Sequence, residues 1–241
     1  MRNNIMSSYA KGVALIILDK YEDALADLDS AIQAQPDFVD AWSMRAVALI
    51  MLGRNEEALQ AYEKVVQLRP DDPDAWREYG EVLDALGDHE KAIKNYEKAI
   101  ELSPEDAKSW RDKGTALIIL GKYDEAVKCL NEAIRINPNL QEAWRDLGWA
   151  YDLIGDYEKA LKSYDKAIEI DPDYYSAWKD RGCMLDILGK YEESLESFDK
   201  AVQINPNDAD TWHNRGLVLV TLGRHKEALE SFDKADKLKQ K

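Results

Sequence analysis

The chain of 241 residues carries 32 Lys and Arg against 47 Asp and Glu, a net charge of −15, with 45% hydrophobic residues and 2 Cys. That composition is globular rather than disordered, and a negative charge with no long basic stripe argues against nucleic acid or an anionic membrane surface as partner. Cys129 and Cys183 stand apart, with no C-x-x-C spacing or clustered His, so neither a disulfide framework nor a metal site is expected. A reducing, cytoplasmic setting is the expectation that follows. The longest apolar runs, Val13 to Leu18 and Ala46 to Leu52, are too short to span a bilayer. The first of them lacks a small-residue cleavage site and runs into Asp19 and Lys20, so it does not read as a secretory leader.

In chain order, residues 5–38 form a first unit with Gly12, Leu15, Tyr21, Ala24, Ala31 and Pro36, and with Ser8 where later units have Trp. Residues 39–72, 73–106, 107–140, 141–174, 175–208 and 209–241 follow in the same register. Trp42, Trp76, Trp110, Trp144, Trp178 and Trp212 recur every 34 residues, as do Pro36, Pro70, Pro104, Pro138, Pro172 and Pro206. All 12 Gly fall into two further columns of that period. Three residue types in one register exclude chance.

Within a unit, Asp74 to Leu86 sets Trp76, Leu83 and Leu86 on one face with the small Gly80, the pattern of an amphipathic helix. Gly87 suits a left-handed helix terminus, after which Ala92, Tyr96, Ala99 and Ile100 keep helical spacing until Pro104. Period-two alternation is absent, so strands have no support. The reading is one all-α array of seven helix pairs over residues 1–241, with no boundary visible inside it.

Trp144, Leu147, Gly148 and Tyr151, followed by Ala160, Tyr164, Ala167 and Pro172, resemble the signature of the tetratricopeptide repeat family. The resemblance covers nearly the whole chain. Other units depart from it: the Leu place holds Arg45, Tyr79, Lys113, Arg181 and Arg215, and Ser194 replaces Ala. The resemblance implies a right-handed α-solenoid superhelix of stacked antiparallel helix pairs whose concave groove, lined by the first helices, holds a peptide or partner helix. It implies a non-enzymatic interaction scaffold or adaptor without cofactor. The alternatives are a substrate-selecting segment of a larger enzyme, such as a glycosyltransferase, and a structural array that self-associates through its terminal repeats. The last helix, with Leu229, Phe232, Ala235 and Leu238, is expected to leave apolar surface uncovered for the latter.

A helix turns about 100° per residue, so positions one, five and eight beyond each Trp share a face away from the core. One beyond come Ser43, Arg77, Arg111, Arg145, Lys179 and His213, and beside them Met44, Glu78, Asp112, Asp146, Asp180 and Asn214. These two ladders either read a partner of alternating charge or neutralise each other between adjacent repeats. Trp149, the one Trp outside the column, lies at the five-beyond position, with Thr115 and Cys183 one repeat away. Arg111, Arg145 and Lys179 flank it on one side, Asp152 and Asp186 on the other. This is the first candidate partner site, for an apolar anchor with acidic neighbours; the competing reading stacks Trp149 on Arg145. Tyr9, Val13, Ile16, Ile17, Met44, Val47, Ile50 and Met51 form a second, apolar candidate for an amphipathic helix or another copy. No catalytic site is expected. Asp84, Asp152 and Asp186 read as solvated carboxylates, and His89 and His225 as interhelix packing.

Overall fold

The computed structural model describes residues 2–240, which form fourteen α-helices and no strand. The first helices of the successive repeats are α1 (Arg2–Ile17), α3 (Val39–Met51), α5 (Pro73–Ala85), α7 (Ala107–Ile119), α9 (Gln141–Ile154), α11 (Tyr175–Ile187) and α13 (Ala209–Thr221). The second helices are α2 (Tyr21–Ala34), α4 (Asn55–Leu68), α6 (His89–Leu102), α8 (Tyr123–Ile136), α10 (Tyr157–Ile170), α12 (Tyr191–Ile204) and α14 (His225–Lys239). Contacts divide the chain into two compact units, residues 1–116 and 117–241, with the division falling within α7. In the first unit, each helix from α1 to α6 packs on the next, and α1 also touches α3. The second repeats the pattern from α8 to α14, with α9 touching α11 and α11 touching α13. Helices that meet mainly their sequence neighbours define a helical-repeat fold.

Local chemistry fixes the helix ends. Gly155 closes α9 at φ 90°, its N–H donating to the carbonyls of Tyr151 and Asp152. In the first repeat Asp19 takes the equivalent position at φ 57°, a conformation that costs a residue with a Cβ. Asp72, Asp88, Asp156 and Asp208 cap the helices that follow them through their carboxylates.

The core is made of small columns and rings. Ala24, Ala58, Ala92, Ala126, Ala160 and Ala228 are buried at one column. Ser194 stands in that column fully buried, its hydroxyl donating to the Gly182 carbonyl at 2.8 Å, which offsets the cost of the polar atom. Gly148 lies so close to Tyr164 that a Cβ there would sit 2.6 Å from the ring. In six repeats the Trp Nε1 donates to a Pro carbonyl six residues earlier, as from Trp178 to Pro172 at 2.8 Å and from Trp144 to Pro138 at 2.9 Å. The column is thus tied to the end of the preceding repeat.

The departures at the Leu place also serve packing. The guanidinium groups of Arg45, Arg181 and Arg215 lie 5.9, 5.9 and 5.7 Å from the centroids of Trp42, Trp178 and Trp212. Each also donates to a carboxylate on the preceding second helix, Asp29 at 2.7 Å, Asp165 at 2.6 Å and Asp199 at 2.6 Å. Lys113 does the same with Glu97 at 2.9 Å. An apolar contact has been exchanged for an ion pair stacked on an indole.

Candidate partner-binding face

Helix periodicity sets equivalent side chains of α9, α11 and α13 on one face. Six of the eight residues of the first candidate site fall in the second unit: Arg145, Trp149, Asp152, Lys179, Cys183 and Asp186. Arg111 and Thr115 belong to the first unit. Trp149 is half-buried, and the Arg145 guanidinium lies 5.6 Å from its ring centroid. Arg145 Nε donates to Asp180 Oδ2 at 2.6 Å and its Nη1 to Asp146 Oδ1 at 3.2 Å. Lys179 Nζ donates to Asp208 at 3.1 Å, and that carboxylate also accepts from the Tyr175 hydroxyl and from the Thr211 N–H.

These contacts set the electrostatics. Burial pushes the Asp180 carboxyl above its usual range despite the pull of Arg145. Burial and then the Asp180 charge do the same to Asp152. Burial alone would raise Asp208, yet hydrogen bonds from Thr211, Tyr175 and Lys179 hold it well below the ordinary carboxylate range. The Cys183 thiol is pushed up to about 11 by burial and then by Asp180, and Asn214 Nδ2 approaches its sulfur at 3.7 Å, so it is not a reactive thiolate.

In the first unit Arg111 Nη1 meets Asp112 at 3.1 Å, and the Thr115 hydroxyl donates to the Arg111 carbonyl at 3.1 Å. Burial raises the Asp112 carboxyl to about 6 against the pull of Arg111. Arg77 pairs with Glu81 and lies 3.5 Å from Asp74. The acidic ladder thus meets Arg111 and Arg145, through Asp112, Asp146 and Asp180, whereas Arg77 and Lys179 pair with carboxylates outside it. Arg145 to Asp180 is a pair between adjacent repeats, and Lys179 to Asp208 joins α11 to the residue that caps α13.

The apolar candidate is smaller than its eight residues suggest. Tyr9 packs on Phe38 at a centroid separation of 4.9 Å, and Ile16 and Ile50 pack against a core of Leu25, Ala48, Leu49 and Ala58. Val13, Met44 and Val47 are half-buried, leaving Ile17 and Met51 exposed, at 76% and 57%. In α14, Ala235 is buried and Phe232 lies against Gly216 and, at 5.4 Å, against the His213 ring, which leaves Leu229 outward. His89 on α6 is paired through Nδ1 with Asp84 on α5 at 2.5 Å, an interhelix contact.

Sequence reasoning missed the continuation of the Ile17 and Met51 position. Nine residues beyond each Trp, the second unit carries Ile119, Leu153 and Ile187, all exposed. The 34-residue period was signal enough to find them. Among the described residues no group of His, Cys, Asp and Glu is placed to hold a metal ion, and no helix is long and apolar enough to cross a membrane.

Tetratricopeptide repeat profiles match residues 9–73, 52–107, 95–128, 142–174, 163–196 and 209–241, and a TPR repeat profile matches residues 114–155 and 187–223. Together they run from residue 9 to residue 241. The chain belongs to the tetratricopeptide repeat family. Among solved structures it is similar to a tetratricopeptide repeat protein from Parabacteroides merdae, with a TM-score of 0.79, 17% identity and coverage of 98% of this chain and 93% of that one. MamA from Desulfovibrio magneticus gives a TM-score of 0.61 at 24% identity over 70% of this chain and 95% of its own. YrrB, described as a TPR protein with an unusual peptide-binding site, gives 0.58 at 23% identity over 75% of this chain and 93% of its own. At these identities the likeness is one of fold. No curated protein matches the chain.

Proposed function

We propose that the chain is a non-enzymatic scaffold that holds a peptide or partner helix along its first helices, through an apolar anchor rather than an acidic one. The exposed column supports this reading: Leu153 and Ile187 are 43% and 60% exposed, on helices that touch, and Leu153 follows the half-buried Trp149 by one helical turn. An acidic ligand would have to break pairs as short as the 2.6 Å contact of Arg145 with Asp180. An apolar one leaves them intact and buries the column. The peptide-binding fold neighbour YrrB is consistent with this class of ligand.

Peptides selected from a random library against the full chain test the proposal by calorimetry. The Leu153→Asp, Ile187→Asp double variant should lose at least about tenfold in affinity, since each buried anchor contributes more than about 1 kcal/mol, with an unchanged melting temperature. Undiminished affinity in the folded variant would refute it.

A further inference from the structure

Asp152 and Asp186 each stand directly before one of the exposed apolar side chains, Leu153 on α9 and Ile187 on α11. Both carboxylates are half-buried, and among the described residues neither accepts a hydrogen bond nor pairs with a cation. Contacts within the second unit show where they point. Arg145 of α9 donates to Asp180 of α11, which fixes the flanks on which these two helices meet. Seven residues on, which is two turns and within about 20° of the same direction, α9 carries Asp152 and α11 carries Ile187. Asp152 therefore lies between Leu153 of its own helix and Ile187 of the next, and the charge of Asp180 acts on it across the same junction. The step from Lys179, which donates to Asp208 at the start of α13, to Asp186 is the same seven residues, so Asp186 lies on the flank of α11 that meets α13. There Leu217 and Val220 are 48% and 45% exposed.

Across α9, α11 and α13 the exposed face thus alternates between apolar side chains and unpaired carboxylates. A ligand that covered only the apolar groups would take water from Asp152 and Asp186 and give nothing in return, which is the costly way to bury a charge. The cations of the same face cannot make up the loss. Arg145 is held by Asp146 and Asp180, and Lys179 by Asp208. A cationic side chain on the ligand removes the penalty and adds attraction, and the net charge of −15 draws a basic segment toward the chain from a distance.

We propose that the segment held on α9, α11 and α13 carries Lys or Arg among its apolar side chains, with the cation on Asp152 and Asp186 and the apolar groups on Leu153, Ile187 and Leu217. This rests on the function proposed above and adds the charge of the partner to it. Random peptides displayed on phage, selected in parallel on the full chain and on its Asp152→Asn, Asp186→Asn variant, test it. Peptides selected on the full chain should be enriched in Lys or Arg next to apolar residues, and those selected on the variant should lose that enrichment. By calorimetry the tightest peptide from the full chain should bind the variant about tenfold more weakly. The same peptide with Gln at its basic position should lose about as much against the full chain and nothing further against the variant. Leu153→Ala with Ile187→Ala removes the apolar anchors without adding charge and separates the two readings. If that variant binds about tenfold more weakly while the Asn variant keeps full affinity, or if the selected peptides lack a basic residue, the present proposal is overturned and the apolar reading stands. Undiminished binding in the folded Ala variant, or failure of the full chain to enrich any peptide, would overturn both.

Discussion

Replacing Arg145 by Met keeps the hydrocarbon over Trp149 and removes the charge from two carboxylates, Asp146 with 2% and Asp180 with 24% of its side chain exposed. Removing one member of a buried ion pair costs about 3–5 kcal/mol, because the surviving charge remains desolvated. For Asp180 that penalty has a ceiling. A carboxyl escapes it by protonation, and the cost of staying neutral is about 1.4 kcal/mol for each unit between its unfolded pKa and the ambient pH. From the ordinary value of 3.8, the ceiling is about 4 kcal/mol at pH 7 and about 1.6 kcal/mol at pH 5. The sign follows from proton counting. With its folded pKa raised, Asp180 binds more protons folded than unfolded, so stability contributed by this group rises as the pH falls through the window above 3.8. Urea midpoints should therefore show a loss of about 3 kcal/mol for Arg145→Met at pH 7 and a distinctly smaller one at pH 5. Adding Asp180→Asn should recover a large part at pH 7. Equal losses at both pH values, with no recovery in the double variant, would mean that Arg145 acts through its packing on Trp149 and that the charge reasoning is wrong.

Gly148→Ala should destabilise by about 2 kcal/mol, because its Cβ would meet the Tyr164 ring at 2.6 Å; an unchanged thermal midpoint would show that the ring moves aside freely. Asp19→Gly should stabilise by roughly 1 kcal/mol by relieving the left-handed φ of 57°, in excess of the exposed hydrogen bond it loses from Tyr21, and a lower midpoint would contradict this. Asp112, raised from 3.8 to about 6, binds more protons folded than unfolded between those values, so its ionisation lowers stability as pH rises through that range. Denaturant midpoints of Asp112→Asn should lack this decline, and an identical pH profile in the two proteins would refute the assignment.

The period was legible because every interior repeat meets the same neighbours, which forces the same residue at each contact. Gly80 and Gly148 lie under Tyr96 and Tyr164, and Trp76 and Trp144 reach Pro70 and Pro138. Pairings between charged columns were not legible, because they depend on the register of one helix against the next. Arg181 reaches back 16 residues to Asp165, whereas Arg145 reaches forward 35 residues to Asp180. Arg181 and Arg215 accordingly looked like drift from an apolar consensus. The charge-free run in α1 and α3 misled in the other direction. Where a helix is apolar around most of its circumference, sequence does not separate the face turned into a neighbour from the face left open. Thus Tyr9, Ile16 and Ile50 turn inward while Ile17 stays exposed.

The division of work among columns is the reason the proposed ligand is apolar rather than acidic. The alanine columns bury area but present a smooth surface that can slide, so they set the spacing between helices more firmly than their register. Directed bonds supply the register: the Nε1 of each of the six column Trp donates to a Pro carbonyl, and Arg181 and Arg215 each combine an aspartate with a serine hydroxyl, Ser197 and Ser231. Arg145 and Lys179 are drawn into the same task on the first-helix face. Charges committed in this way cannot select a ligand without loosening the repeats they align. Side chains at the ninth position beyond each Trp have neither duty, and there Ile119, Leu153 and Ile187 stay exposed in three successive repeats. The proposed partner, by covering Leu153 and Ile187, would bury this apolar surface and leave every aligning ion pair in place.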